Sequence, residues 1–143
     1  MARTVQVVFD CASVAVMTEF WSDALGYVEQ PPPPGHDSWE SLLTEMGVPE
    51  ELWGSRGAIV DPEGAGPRVF LQQVPEGKTA KNRVHLDIRV STPGADRRPP
   101  IDAEVARLEA RGASRAWVND ESEEHGEYCV VMRDPEGNEF CVT

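Results

Sequence analysis

His85 is the side chain best suited to carry chemistry, because imidazole titrates near neutrality. It can ligate, take up a proton as a general base, or stay neutral and donate a hydrogen bond to a carbonyl. Asp87, two residues on, shares its strand face, and a carboxylate there can set the tautomer of the imidazole. An ion pair with Arg83 or Arg89 is the alternative use of Asp87. Gln6 and Gln72 offer neutral donors and acceptors that suit a carbonyl, amide or hydroxyl, or else satisfy each other or water. Cys141 would be a nucleophile only beside an electropositive group, and nearby Glu139 argues against one. Trp39 and Trp53 supply flat apolar surface for a planar ligand, with packing of a local helix as the competing use. His36 and His125 fall in loops without a partner at metal-ligand spacing. The acidic run Asp120, Glu121, Glu123, Glu124 and Glu127 reads as a solvated loop and lacks a calcium-ligand pattern. No phosphate-binding glycine loop, GxGxxG, GxSxG or HExxH is present, so nucleotide, serine-hydrolase and zincin chemistries have no residue-level support.

Positioning these residues falls to one domain, 1–143, since 143 residues suffice for a single core without disulfides. Lys and Arg number 13 against 25 Asp and Glu, a net charge of -12 that repels phosphate backbones and anionic lipid. Nucleic-acid and membrane partners are therefore not expected. No apolar run approaches the roughly 18 residues of a membrane span, and residues 1–6 lead directly into a strand pattern rather than a targeting segment. Three cysteines without CxxC spacing fit a reducing compartment, so the expected location is the cytoplasm.

Alternation predicts strands over 4–10, 27–30, 57–60, 68–74, 83–90, 115–118, 128–133 and 139–143. Helical periodicity predicts helices over 14–25 and 38–46, and a third from Pro100 carrying Ile101, Val105 and Leu108 and stopped by Gly112. Ser13 and Gly26 should cap the first, and Asp37 with Glu40 forms a candidate capping box for the second. Trp21 falls on the core stripe of the first helix with Met17 and Leu25, and Trp117 lies on a strand where it would line a wall. The turn Asp61-Pro62-Glu63-Gly64 recurs as Asp134-Pro135-Glu136-Gly137, each time between late strands of its half. Its agreement with the order of elements indicates an internal duplication of βαβββ modules, approximately 4–74 and 82–143.

Three stretches resemble the vicinal oxygen chelate superfamily and, within it, the glyoxalase-like and bleomycin-resistance-like proteins. They are Phe20-Trp21-Ser22-Asp23-Ala24-Leu25-Gly26-Tyr27, Lys81-Asn82-Arg83-Val84-His85-Leu86-Asp87-Ile88 and Asp134-Pro135-Glu136-Gly137-Asn138-Glu139-Phe140-Cys141-Val142. The resemblance implies an α+β fold, with two βαβββ modules forming a cupped eight-stranded mixed sheet, helices outside and a cavity within. It places the family's metal positions at Gln6, Phe70 or Gln72, His85 and Cys141. Neither final-strand position is a carboxylate, and a Gln, Phe and Cys set supplies no fixed anion, so no metal cofactor is expected. A displaced site using His85 with Asp87 or Glu139 is the alternative. The expected function is binding of a small organic molecule in the sheet cavity, with Gln6, Trp39, Trp53, Phe70, Gln72 and Cys141 as ligand contacts. If the protein is an enzyme, it would be a glyoxalase-like lyase or isomerase on a carbonyl compound, with His85 and Asp87 catalytic. The alternatives are a metal-dependent lyase or dioxygenase and a non-catalytic protein that sequesters a drug or metabolite. The resemblance also implies a homodimer.

Overall fold

The computed structural model describes residues 1–120 and 127–143. His125, Glu121, Glu123 and Glu124 lie outside them. The chain divides into two units, Met1–Gly77 and Lys78–Thr143.

In the first unit, strand β1 (Gln6–Cys11) leads into helix α1 (Val14–Leu25). The helix has the expected span because both ends are specified: the Ser13 hydroxyl accepts from the Val16 amide, and Gly26 closes the last turn with a left-handed backbone. Strands β2 (Val28–Glu29), β3 (Arg56–Val60) and β4 (Arg68–Gln73) follow, the sheet order being β1-β4-β3-β2 with β1 and β4 parallel. The β1 ladder opens at Gln6 opposite Arg68 rather than at Thr4, since the partner strand itself begins only after Pro67. Alternation divides this sheet cleanly. Val69, Leu71 and Ile59 are fully buried with Met17 and Trp21 of α1, while Arg68, Phe70 and Gln72 occupy the opposite face.

Between β2 and β3 lies helix α2 (Trp39–Glu45), followed by a 3-10 turn at Glu50–Ser55. The helix is capped by the Ser38 hydroxyl, which accepts from the Ser41 amide at 3.1 Å. The expected Asp37–Glu40 box is therefore displaced by one residue, because Asp37 precedes the capping position.

The second unit repeats the connectivity: β5 (Asp87–Ile88), α3 (Arg98–Glu109), β6 (Ser114–Asn119), β7 (Cys129–Arg133) and β8 (Glu139–Val142), in sheet order β5-β8-β7-β6. β5 and β8 are parallel, as β1 and β4 are. The fold is α+β with two βαβββ modules, each carrying a four-stranded mixed sheet. Ile101, Val105 and Leu108 of α3 are buried against this sheet with Val130, Met132, Phe140 and Val142. The repeated turns also match in detail. Asp61 accepts from the Glu63 amide at 2.8 Å and Asp134 from the Glu136 amide at 2.9 Å, and Gly64 and Gly137 take φ of 72° and 86°, which side chains resist.

The strand expected over 83–90 is much shorter. Its ladder begins at Asp87 opposite Cys141, and His85 lies just ahead of it. That register would bring His85 opposite Glu139, whose carboxylate instead takes the Asn82 amide, so the chain leaves β8 at this point. Among the described residues, no helix is long and apolar enough to cross a membrane.

Candidate functional site

The face of the first sheet that turns away from α1 forms the floor of a pocket of about 600 Å³. Ala58 of β3 and Phe70 of β4 lie side by side on that floor, held in register by the antiparallel ladder. One wall is α2, whose period presents Trp39 and Leu43, with Met46 at its C-terminal cap, and the 3-10 turn adds Leu52 and Trp53. α2 is too short and too polar elsewhere to bury a core of its own, so its apolar stripe serves this cavity. Both indole N–H groups are already committed, Trp39 to the Gln30 carbonyl at 2.7 Å and Trp53 to the Val48 carbonyl at 2.9 Å. What the two rings leave for a ligand is their apolar surface.

Arg68 enters the same pocket from the start of β4. Its Nε donates to the Gln30 Oε1 at 2.6 Å and its Nη1 to the Gln6 Oε1 at 2.5 Å, and the guanidinium carbon lies 5.2 Å from the centre of the Phe70 ring. Gln6 is therefore a support for Arg68 and not itself part of the lining. Gln72 is turned to Asp10 on the neighbouring strand, donating to its carboxylate at 2.7 Å, and also lies outside the lining. Of the residues singled out in this unit, Trp39, Trp53 and Phe70 converge. Arg68 and Gln30 were missed. Strand parity carried the signal for Arg68, which is two residues before Phe70 and so shares its face.

The second unit brings together a different set. His85, Asp87 and Cys141 each offer a donor atom, and the three atoms lie within 4.8 Å of one another. His85 Nε2 is 3.4 Å from Asp87 Oδ1, so imidazole and carboxylate do meet, and among the described residues Asp87 forms no ion pair with Arg83 or Arg89. Both side chains are about half exposed, at 51% and 44%, whereas Cys141 is buried beneath them as the cross-strand partner of Asp87. Burial, reinforced by the neighbouring Asp87 charge, pushes the Cys141 thiol up to about 12, which suppresses nucleophilic use of the bare sulfur. Trp117 is partly exposed with the Lys81 ammonium 4.9 Å above its ring.

Glu139 takes no part in this cluster. Its Oε2 accepts the Asn82 amide at 3.0 Å and pairs with the Lys78 ammonium at 3.0 Å. The amide hydrogen bond first, and then Lys78, hold its carboxyl down at about 2. A depressed carboxylate stabilises the fold above its ordinary value of 4.5 and loses that contribution as pH falls through about 2. Glu139→Gln is thus expected to lower stability by about 1.5 to 3 kcal/mol at neutral pH. Urea unfolding of both proteins checks this: the difference should shrink on acidification from pH 4.5 towards 2, and a difference independent of pH would contradict it.

The donor set in this cluster fits one kind of ion. An imidazole, a carboxylate and a thiol suit a zinc-class cation bound by three protein ligands with a further position open, and they suit a hard ion such as magnesium poorly.

The sequence of residues 6–143 matches the glyoxalase-like domain family. The chain belongs to that family. Its solved structural neighbours agree in fold: a possible glyoxalase from Bacillus cereus has a TM-score of 0.63 at 14% identity, covering 100% of this chain and 99% of its own. A glyoxalase/bleomycin resistance protein/dioxygenase family enzyme from Burkholderia phytofirmans has a TM-score of 0.61 at 16% identity, covering 96% of this chain and 94% of its own. A fosfomycin resistance protein from Mesorhizobium loti has a TM-score of 0.61 at 9% identity, with 99% of this chain and 90% of its own covered. Among curated proteins no sequence matches the chain. This glyoxalase-like domain thus sits in the vicinal oxygen chelate superfamily, whose members share the repeated βαβββ module and differ in what they do with it.

Proposed function

We propose that this glyoxalase-like domain binds a small, largely apolar organic molecule in the pocket floored by Phe70 and walled by Trp39 and Trp53. The observation that carries the reading is the pocket: about 600 Å³, with both indole N–H groups satisfied internally. Ligand sites of this kind run from about 300 to 1,000 Å³ and combine apolar walls with a few placed polar groups. Among the described residues the lining holds no His, Cys, Lys or Tyr, and its carboxylate, Glu29, is exposed. That composition supports capture of a molecule over acid-base chemistry on it, and so favours a sequestering role of the bleomycin-resistance kind. Calorimetric screening with a library of aromatic and aliphatic small molecules tests the reading: binders at one site per chain are expected, and a library without a binder would refute it.

A second reading rests on the convergence of His85, Asp87 and Cys141. These three residues would hold a zinc-class ion, which when bound supplies Lewis acidity to a carbonyl or a bound water. Purified without chelator and titrated with Zn²⁺, the protein is then expected to take up one equivalent with a shift of the His85 ring signals in histidine NMR. His85→Ala should remove the uptake. No response of His85 to the ion would discard this reading.

A further inference from the structure

We propose that the molecule held in the first unit is an organic anion, its charged group on Arg68 and its flat apolar body against Trp39, Trp53 and Phe70. The inference rests on the pocket reading above and specifies the ligand's chemical class. The chain carries a net charge of -12, and four of its arginines are answered by carboxylates among the described residues. Arg97 pairs with Glu127, Arg98 with Asp120, Arg107 with Glu104 and Arg115 with Glu109. Arg68 is different. Its two hydrogen-bonded nitrogens meet the neutral amide oxygens of Gln30 and Gln6, which orient the guanidinium without cancelling its charge. Those bonds use Nε and Nη1, so among the described residues the Nη2 end of the fork keeps its donors for a ligand.

A part-buried cation beside an apolar wall is costly to leave unanswered, and an incoming carboxylate or sulfonate removes that cost through charge-assisted hydrogen bonds. Arg56, on the neighbouring strand and also lining the pocket, adds a second positive charge at its edge. Glu29 lines the pocket too, yet forms no ion pair with Arg68 among the described residues, so it does not occupy the anion's place. A phosphate or sulfate ion alone would leave the rings uncovered, and a neutral hydrocarbon would leave the guanidinium unmatched. An aromatic or polycyclic acid satisfies both.

The test compares 2-naphthoate with its neutral counterpart 2-naphthamide by calorimetry, on the wild type, Arg68→Gln and Arg68→Lys. Naphthoate is expected to bind at least about 10-fold more tightly than the amide to the wild type. Arg68→Gln should abolish that preference, and Arg68→Lys, which keeps charge without the planar fork, should retain part of it. Equal binding of the two compounds to the wild type, or a preference that survives in Arg68→Gln, would overturn the anion inference and leave the pocket reading standing. If neither compound binds and the library also yields nothing, the pocket reading itself fails. Thermal unfolding of each variant identifies a loss caused by misfolding, and the Arg68→Lys comparison then carries the test.

Discussion

Truncating both pocket indoles, with Trp39→Ala and Trp53→Ala in one chain, is expected to weaken binding of an aromatic ligand by about 100-fold. The magnitude follows from the area at stake. A stacked ring buried on a ligand is worth about 1 to 2 kcal/mol, and two such contacts give about 3 kcal/mol, or two decades in Kd. Trp39 is 37% exposed, which marks ring surface available to a ligand rather than used up in packing. Neither α2 nor the following 3-10 turn contains a buried residue, so the double variant should keep its sheet. Calorimetry with the tightest library binder checks affinity, and thermal unfolding checks the fold. An unchanged Kd would show that the two rings serve packing of the inserted segment alone.

The opposite outcome is expected at Trp21. Trp21→Ala should destabilise the protein by about 3 to 5 kcal/mol, the range for removing a large aromatic from a close-packed core. Trp21 is 1% exposed, stacks on Phe9 with ring centres 4.8 Å apart, and meets Phe20 edge-on at 5.4 Å. The stack on Phe9 joins α1 to β1, so the void would open between the helix and the sheet that supports the pocket floor. Urea denaturation measures the loss directly. A cost below about 1 kcal/mol would mean that the interface collapses around the cavity, contrary to the rigid packing inferred here.

The tryptophans differ in how far the sequence alone places them. Trp21 was readable as core because Met17, Trp21 and Leu25 recur at helical spacing within a segment capped by Ser13 and stopped by Gly26. The repeated Asp-Pro-Glu-Gly turn was readable for a similar reason, since its hydrogen bonds are local to four or five residues. Strand extents were harder, because a ladder is as long as its partner allows. β5 is cut to two residues by a register with β8 that pairs Asp87 with Cys141, a match between positions 54 apart that no local pattern encodes. The same register explains why Cys141 joins His85 and Asp87, while Glu139 is diverted to Lys78 and Asn82. Arg68 was overlooked for a different reason: parity puts it on the face of Phe70, but its partners, the amide oxygens of Gln30 and Gln6, are visible only in the folded chain.

On the proposed function, a small organic molecule occupies the pocket of the first unit. Indole N–H signals in a ¹H–¹⁵N spectrum test it most directly, assigned by single Trp→Phe substitutions and followed while 2-naphthoate is added. Trp39 and Trp53 should shift together and saturate at one equivalent, while Trp21, sealed on the other side of the sheet, stays in place. Saturable binding that moves neither Trp39 nor Trp53 would contradict it, as would a failure of both 2-naphthoate and the whole library to bind.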